Sequence, residues 1–458
     1  MVPRLKIAII GAGSREFAKG LIHDLVVERS LLESRRVTVS LMDIARASVE
    51  LMCSYAERCA AAVDAPIEFT ATTSRDEALQ GADFVLISIA VHRMELWEQD
   101  FRVPLAFGVR HIYGENGGPG AAFHALRNLE IVLPICRDIE RICPNAWVMN
   151  FTNPEARILT AILTLTKVRA IGLCHGFYSF RRLVNRVLDR PLEELDVRTA
   201  GINHFYTYYR IADRGTGKDL IGEFEGRLAS NESLLPPLVR YLWKTFGALG
   251  YVSEHHVGEY LGFAHEFTGL VWPFGNENRQ IDPNEGDIVG RTMFEAWRHK
   301  IDVKTYLDRG IAQAERDQLT GDHPIDVNAI HASGELAVPV LTDMVLNRGI
   351  LREAVNLLND AGYIENLDRD TSVELPATID AAGVHPDRVG RLPEGFAALI
   401  RKQQAVQRLL VAAYREGSRK LLLQALLLDP LAEGQAAQIE RMLDVMLDLQ
   451  AEYLPTFK

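Results

Sequence analysis

The sequence predicts an α/β protein in which a doubly wound parallel sheet is followed by an α+β part rich in helices. Apolar strand-like runs alternate with helical segments as far as about residue 200. Each run is apolar on both faces, which is typical of a parallel sheet covered by helices on both sides. Beyond that point the alternation stops, and long segments with the i, i+3, i+4 apolar repeat dominate.

The elements of the first part can be placed in order along the chain. The run over 5–13, "LKIAIIGAG", predicts a buried strand that leads into a glycine turn. Further strands are predicted over 36–44, 67–72, 83–91 and 146–154, and helices over 16–29, 45–63, 74–82 and 125–143. In the second part, strand-like pieces over 198–213 precede a helix over 234–249, and the chain from Pro393 onward is predicted to be almost entirely helical.

A chain of 458 residues exceeds what one ordinary core holds. We therefore predict two units, residues 1–200 and residues 201–458. The sequence contains no internal repeat and no low-complexity linker, so the second unit is expected to dock on the first.

The composition narrows the class of partner and the compartment. A net charge of −11 argues against nucleic acid or an anionic membrane as the partner. The five cysteines show no framework spacing, which suggests a reducing cytoplasm. Glycine interrupts the first apolar run too early for a signal peptide, and no apolar stretch approaches the ~20 residues of a membrane span. We expect a soluble, cytoplasmic protein that acts on a small molecule.

The segment "GAGSREF" has the residue types of a dinucleotide-binding turn. Gly11 and Gly13, with Ser14 next, follow the first strand and open a helix, where a pyrophosphate approaches the backbone. Glu16 occupies the third glycine position of the usual pattern, so the glycines alone also fit a turn without a ligand. Asp43 ends the second strand, where an acid binds the ribose 2′-hydroxyl, and this favours NAD over NADP.

A cysteine and two histidines lie at the ends of apolar segments. "AIGLCHGFYSF" places Cys174 and His175 after an apolar run, and "GINHFYTYYR" sets His204 into another. Taken alone, Cys174 fits a small core residue and the histidines fit buried polar residues with satisfied hydrogen bonds.

Together these segments resemble glycoside hydrolase family 4, whose members are glycosidases that depend on NAD and a divalent metal. The resemblance covers nearly the whole chain, and the order and spacing of its motifs are specific. It runs through "IIGAGS", "LMDI", "YGENGGPGAAFHALRN", "NFTNPEARI", "IGLCHGFY", "GINHFYTYY" and "ELPATIDAAGVHP". It implies a Rossmann-like NAD-binding unit, as in lactate and malate dehydrogenases, and a second unit for substrate, metal and assembly into a homodimer or homotetramer.

The resemblance also implies the metal site. Cys174 and His204 would be its two protein ligands, with sugar hydroxyls and water in the other positions. A thiolate and an imidazole by themselves favour zinc, so Mn²⁺ is implied by the family and not by the ligands. Asn153 would lie between the nicotinamide ribose and the sugar, whereas Asn150 is interpreted as a polar residue at a strand end.

In such a reaction hydride moves from C3 of the sugar to NAD⁺ and later returns, and removal of the C2 proton lets the C1 leaving group depart by elimination. The base would come from "GYVSEHHVGEYLGF", with Glu254 first, and with Tyr260, His256 and Glu259 in the same segment. His256 also fits a further metal ligand or a substrate contact.

The general acid has two candidates. His175 takes the place of an aspartate found in the 6-phosphoglycosidase branch, and an imidazole can serve near neutral pH. Glu115 matches a carboxylate that faces the sugar in relatives.

The predicted substrate is a non-phosphorylated α-hexoside. No arginine-rich phosphate pocket is evident around "ISIAVHRMELW", although Arg93 is available. Glucoside, galactoside and glycuronide stay open. Two alternatives are an NAD-dependent sugar or hydroxy-acid dehydrogenase, and a catalytically silent sugar-binding protein with a structural NAD.

Overall fold

Six parallel strands form the amino-terminal half of a sheet in the computed structural model of the protein, which describes residues 2–14, 17–110, 112–268 and 318–458. They are β1 (Arg4–Ile10), β2 (Arg36–Met42), β3 (Ile67–Thr72), β4 (Phe84–Ile87), β5 (Trp147–Asn150) and β6 (Arg169–Leu173). Their spatial order is β3-β2-β1-β4-β5-β6, with every neighbouring pair parallel. This is the order of a doubly wound dinucleotide-binding sheet, so the predicted fold class is confirmed.

Helices cover both faces of these strands. They are α1 (Phe17–Val27), α2 (Arg29–Ser34), α3 (Arg46–Ala62), α4 (Arg75–Leu79), α5 (Arg93–Ala106), α6 (Gly118–Ile142), α7 (Glu155–Leu165) and α8 (Phe177–Leu188). Alternate residues of β1 serve the two faces: Ile7 and Ile9 pack in the core that contains α1 and α3, whereas Ala8 and Ile10 pack in the core that contains α6 and α7. Burial on both faces explains why these strands are continuously apolar.

Two predicted bounds differ from the structure for local reasons. β4 ends at Ile87, not at residue 91, because Thr152 Oγ1 accepts the backbone N–H of Ile89 at 3.1 Å in place of a neighbouring strand. α6 begins at Gly118, before the predicted start at residue 125. Its first turn, Gly-Pro-Gly, has the composition of a loop, but a proline at the first turn of a helix loses no hydrogen bond there.

The same sheet continues into the second half of the chain with antiparallel strands. These are β7 (Leu195–Ile202), β8 (Phe205–Asp213), β9 (Ile350–Leu358), β10 (Ser372–Asp380) and β11 (Gly383–Pro386). After β6 the order is β9-β10-β7-β8, and β11 pairs with β10. The sequence predicts the β7–β8 pieces, but not that β9 and β10 lie between β6 and β7.

The other helices of the described residues belong to the second half. They are α9 (Ile221–Ala229), α10 (Pro237–Phe246), α11 (Glu254–Gly258), α12 (His265–Thr268), α13 (Ala337–Leu346), α14 (Glu394–Glu416), α15 (Arg419–Leu428) and α16 (Ala436–Leu449). Short 3₁₀ turns occur at Leu192–Glu194, Glu232–Leu234, Val327–Ala329 and Pro430–Ala432. The helical character predicted beyond Pro393 is confirmed, and no helix of the described ranges is long and apolar enough to cross a membrane.

The predicted division after residue 200 falls within β7, two residues before its end. One sheet runs through both halves, and α15 and α16 pack in the same core as α6. The division into two units therefore stays a prediction, since one sheet contains strands from both predicted units.

Candidate active site

The turn between β1 and α1 brings two backbone segments close together. Gly11 has φ +89°, and a Cβ there would lie 2.0 Å from the carbonyl oxygen of Ser88. Gly13 donates its N–H to Asp43 Oδ2 at 2.9 Å, and a Cβ on Gly13 would meet the same carboxylate at 2.8 Å. This turn thus brings together the predicted residues Gly11, Gly13, Ser14 and Asp43. Glu16 lies outside the described residues.

Ile44, directly after Asp43, is 91% exposed. Large apolar side chains are seldom so exposed, and this one lies beside the acid predicted to bind a ribose. An apolar side chain at this place would suit the flat base of a nucleotide. The sequence analysis missed this residue, and its signal is an apolar residue directly after the acid that ends β2.

Cys174 and His204 meet although they come from strands that are not neighbours. Cys174 follows the last residue of β6, and His204 lies in the two-residue turn between β7 and β8. Its backbone has a positive φ of 63°, the left-handed conformation that two-residue hairpin turns require. Cys174 Sγ lies 3.2 Å from His204 Nε2, and the N–H of Gly176 donates to the same sulfur at 3.4 Å.

The pair has the chemistry of a metal ligand set. Burial, then the neighbouring His256 and His175, hold the pKa of His204 well below its usual value, so the ring is neutral and free to bind a cation. Burial raises the pKa of the Cys174 thiol to about 12, so the thiolate forms when a cation replaces the proton. Cys174 Sγ and His204 Nε2, 3.2 Å apart, are close enough to hold one cation together.

Within the described residues, the candidate metal ligands form a pair. Across residues 2–14, 17–110, 112–268 and 318–458, no group of three or more His, Cys, Asp or Glu side chains is placed to hold a metal ion. The ring centroid of His256 lies 4.7 Å from that of His204, and its role as a further ligand or a substrate contact stays a prediction. The other positions of a bound cation would therefore be open to substrate and water.

Glu115, Asn153 and Arg93 form a second polar group of the site. Glu115 is buried, and its Oε1 accepts from Asn153 Nδ2 and from Arg93 Nη2, both at 3.3 Å. The structure thus brings together two residues predicted to face the sugar. Asn150 is buried and accepts the N–H of Thr152 at 3.2 Å, which fits its interpretation as a polar residue at a strand end.

Glu259 holds the backbone on which Glu115 lies. Its Oε1 accepts the N–H groups of Glu115 at 2.6 Å and Asn116 at 2.7 Å, and the side chain is completely buried. Burial raises the pKa of Glu259, and the hydrogen bonds from His256 and from the N–H of Asn116 only partly counteract the rise. Glu259 supports the segment that carries Glu115, and its place among the candidate bases stays a prediction.

His256 is the side chain of α11 that reaches the metal pair. Besides the ring of His204, the ring of His256 contacts that of Tyr251, with centroids 5.2 Å apart, and stacks on that of Tyr113, with centroids 5.4 Å apart. Burial lowers the pKa of His256, but the carboxylate of Glu259, 3.8 Å from Nδ1, more than offsets this, and the net shift is upward.

Glu254 and Tyr260 differ from His256 in their surroundings. Glu254 begins α11, burial raises the pKa of its carboxyl group, and its buried Oε2 has no hydrogen-bond partner in the described part of the chain. Tyr260 is buried, stacks on Phe205 and donates its hydroxyl to the carbonyl oxygen of Asn203 at 3.0 Å. Burial raises the pKa of Tyr260 well above 10, which is opposite to what a base requires.

His175 lies at the entrance of the site, with its side chain 66% exposed. Its Nδ1 lies 2.7 Å from Oε1 of Glu335, and this hydrogen bond raises the pKa of His175. Glu335 belongs to a loop fixed to α1, because Ser333 donates its N–H and hydroxyl to Asp24 at 2.5 and 2.6 Å.

Tyr251 is a second residue that the sequence analysis did not single out. Its ring packs on Gly176, where a Cβ would lie 2.3 Å from Cε2, and lies 5.2 Å from the ring of His204. An aromatic residue four positions before a histidine is too weak a pattern to predict this contact from sequence.

Two family models match this chain. A model described as family 4 glycosyl hydrolase matches residues 6–190, and a model of the family 4 glycosyl hydrolase C-terminal domain matches residues 199–432.

Among characterised proteins, the chain is similar to an α-glucosidase of Erwinia rhapontici, with 31% identity over 468 residues that cover 99% of both chains. It is also 30% identical over 460 residues to an α-galactosidase of Rhizobium meliloti (strain 1021), covering 99% of this chain and 89% of that protein.

The fold is shared with a 6-phospho-α-glucosidase from gut microorganisms solved in complex with NAD and Mn²⁺. The TM-score is 0.76 at 21% identity, with 99% of this chain and 100% of that chain covered.

Proposed function

The chain belongs to family 4 of the glycosyl hydrolases, and from this premise we propose that it hydrolyses the O-glycosidic bond of a non-phosphorylated α-hexoside with NAD⁺ and Mn²⁺. The observation that carries the proposal is the 3.2 Å approach of Cys174 Sγ to His204 Nε2 next to a dinucleotide-binding sheet. A thiol and a neutral imidazole at this distance suit a shared cation.

In the proposed complex, the turn at Gly11, Gly13 and Ser14 receives the pyrophosphate, and Asp43 binds the adenosine ribose. Ile44 packs against the base. The nicotinamide would then lie over the carboxyl ends of β4 to β6, where Asn153 and Cys174 are found. When bound, NAD⁺ takes up and returns the C3 hydride, and the divalent cation acidifies the C2 proton.

Cys174 and His204 hold the cation, and Asn153 and Glu115 face the sugar. Because Arg93 is already paired with Glu115, its guanidinium is directed to this carboxylate. This supports a substrate without a phosphate group, as do the two relatives with 30% and 31% identity. Glucoside, galactoside and glycuronide fit the arrangement, since none of these contacts distinguishes C4 or C6 of the ring.

For the base, the geometry favours His256 over Glu254 and Tyr260. His256 contacts the ring of a proposed metal ligand, and the hydroxyl of Tyr260 donates to a backbone carbonyl. Glu254 stays the alternative, because its buried Oε2 has no hydrogen-bond partner in the described residues. For the general acid, His175 and Glu115 are both retained, because Glu335 orients the one and Asn153 contacts the other.

The proposal also covers assembly and location. We retain a homodimer or homotetramer and a cytoplasmic protein. All five cysteines are free, and a ligand thiol requires a reducing compartment to persist.

Isotope exchange tests the reaction. Aryl α-glucosides, α-galactosides and α-glycuronides are offered with Mn²⁺, NAD⁺ and a reductant in D₂O, while aglycone release and absorbance of NADH are recorded together. The product is expected to carry deuterium at C2, with no net NADH. His256→Gln should lose exchange and turnover together, and Glu254→Gln is the matched comparison.

The alternatives predict different results. A dehydrogenase would form NADH in step with product, and a silent sugar-binding protein would release no aglycone. Direct displacement by two carboxylates would leave C2 unlabelled.

A further inference from the structure

Glu374 is a buried carboxylate with no role in the proposed reaction. It belongs to the segment "ELPATIDAAGVHP", lies on β10 and is 2% exposed. In the sheet it is directly opposite Asn356 of β9 and Gly201 of β7, and Asn356 is opposite Gly172 of β6. This row of four residues crosses from the strand before Cys174 to the strand before His204.

The hydrogen bonds of Glu374 lead towards the metal pair. Its Oε2 accepts from Asn203 Nδ2 at 2.9 Å and from Asn356 Nδ2 at 3.2 Å. Asn356 Nδ2 also lies 3.4 Å from the carbonyl oxygen of Gly172. Asn203 is the residue before His204 in the hairpin turn, so one carboxylate oxygen connects β6 with that turn.

Asn203 also lies next to the metal pair. It directly precedes His204, whose Nε2 lies 3.2 Å from Cys174 Sγ. The amide held by Glu374 is therefore one residue from the ligand that meets the thiol. An amide held by a buried acceptor keeps one orientation, because leaving that acceptor would cost an unpaired buried polar group.

We propose that Glu374 is a positioning residue that holds the Asn203 amide, and through it Cys174 and His204, in the arrangement that binds the cation. The proposal rests on the metal pair of the proposed function. β9 and β10 separate β6 from β7 in the sheet, so the two ligands have no direct strand pairing to set their distance. Partners of this kind behind the ligands typically change metal affinity about 10- to 100-fold.

Glu155 provides a matched control. It is as deeply buried as Glu374, and its carboxyl group lies over Gly172, where a Cβ would be 1.6 Å from Oε1. Neither of its oxygens has a hydrogen-bond partner in the described part of the chain. A change at Glu155 therefore alters the same buried region without releasing Asn203.

The test is a titration of the metal-free, NAD-loaded protein with Co²⁺, in which the sulfur-to-cobalt charge-transfer band reports thiolate coordination without turnover. Glu374→Leu removes the acceptor at similar volume, and Glu374→Gln keeps an acceptor oxygen. We expect Glu374→Leu to weaken Co²⁺ binding about 10- to 100-fold, and Glu374→Gln and Glu155→Gln to stay within about threefold of the parent protein. The NAD affinity of the same samples shows whether each variant is folded.

The outcomes separate the two proposals. A parent protein without the band, or a Cys174→Ser variant that keeps it, overturns the metal pair and this inference together. A band that depends on Cys174 but has the same Co²⁺ affinity in Glu374→Leu overturns only the inference. If Glu374→Leu fails to bind NAD, Asn203→Ala decides in its place: weakened Co²⁺ binding supports the positioning role, and unchanged binding overturns it.

Discussion

Asp43 Oδ2 accepts the backbone N–H of Gly13 at 2.9 Å, so the acid that ends β2 and the glycine turn after β1 form one unit. The other oxygen of Asp43 accepts the N–H of Ala45 at 2.9 Å. The carboxylate is thus fixed beside the place proposed for the adenosine ribose, where it would repel a 2′-phosphate.

The first prediction concerns cofactor choice. NAD⁺ should bind at least about 100-fold more tightly than NADP⁺, because two like charges in contact cost several kcal/mol. Titration of the protein with both dinucleotides measures this. Asp43→Asn should narrow the difference while keeping an oxygen acceptor for Gly13, and equal affinity in the parent protein would count against the assignment of Asp43.

The second prediction concerns the metal ligands. Cys174→Ser and His204→Ala should each abolish glycosidase activity and leave NAD affinity within about twofold of the parent value, because the ligands lie beyond the turn that binds the pyrophosphate. Activity assays and NAD titrations measure the two effects. Full activity after chelation, with no metal added back, would be incompatible with the site.

The same thiol implies a requirement for reductant. A thiolate that binds metal is also the form that oxidises, so peroxide should inactivate the parent protein. Bound Mn²⁺ should slow this loss. Inactivation of the parent protein while the Cys174 thiol stays reduced would point to another cysteine, as would a loss of NAD affinity in peroxide-treated Cys174→Ser.

The third prediction concerns Glu259. Glu259→Gln should lower the free energy of unfolding by about 1.5–3 kcal/mol, the usual range for a hydrogen bond to a charged group, because Glu115 and Asn116 lose their charged acceptor. It should also lower kcat, since Glu115 is displaced. Urea unfolding and steady-state kinetics measure this, with the exposed Glu266→Gln as the control. A variant that loses activity with unchanged stability would instead indicate a direct chemical role for Glu259.

The fourth prediction is a pH dependence of stability. Burial raises the pKa of Glu374 from 4.5 to about 7, and its two amide partners only partly oppose this. As the pH rises from 4.5 to 7, the unfolded chain releases this proton before the folded protein does. The free energy of unfolding therefore falls over this range. The loss reaches about 3 kcal/mol above pH 7.

Glu374→Gln removes this group, so its stability relative to the parent protein should rise by about 3 kcal/mol from below pH 4.5 to above pH 7. Urea unfolding of metal-free protein at both pH values measures the change, with exposed Glu452→Gln as the control. A constant difference between variant and parent at all pH values would show that Glu374 is already ionised like a surface glutamate.

The strands β1 to β5 are predictable because their signals are local. Each is a short apolar run, and the turn after β1 is marked by Gly11, whose φ of +89° favours glycine over any other residue. The meeting of Cys174 with His204 follows from the family resemblance and not from any local pattern, since the two residues belong to strands that are not neighbours.

The parts that were missed depend on pairing between distant segments. Nothing near residue 350 indicates that β9 and β10 enter the sheet between β6 and β7, because register with a strand 182 to 184 residues earlier leaves no local trace. The roles of Glu254 and Tyr260 stay predictions for a related reason. An acid or a phenol in a motif looks alike whether it faces the site or, like Tyr260, bonds to the turn at Asn203.

The pairing of β6 with β9 has a consequence for dissecting the molecule. A fragment that stopped at residue 190 would contain every parallel strand, yet it would leave one side of β6 with bare N–H and C=O groups at Gly172 and Leu173. Such an unprotected strand invites self-association. The dinucleotide-binding portion is therefore not a detachable module, and chimaeras that exchange carboxyl-terminal halves among relatives must carry β9 and β10 together with the hairpin that holds His204.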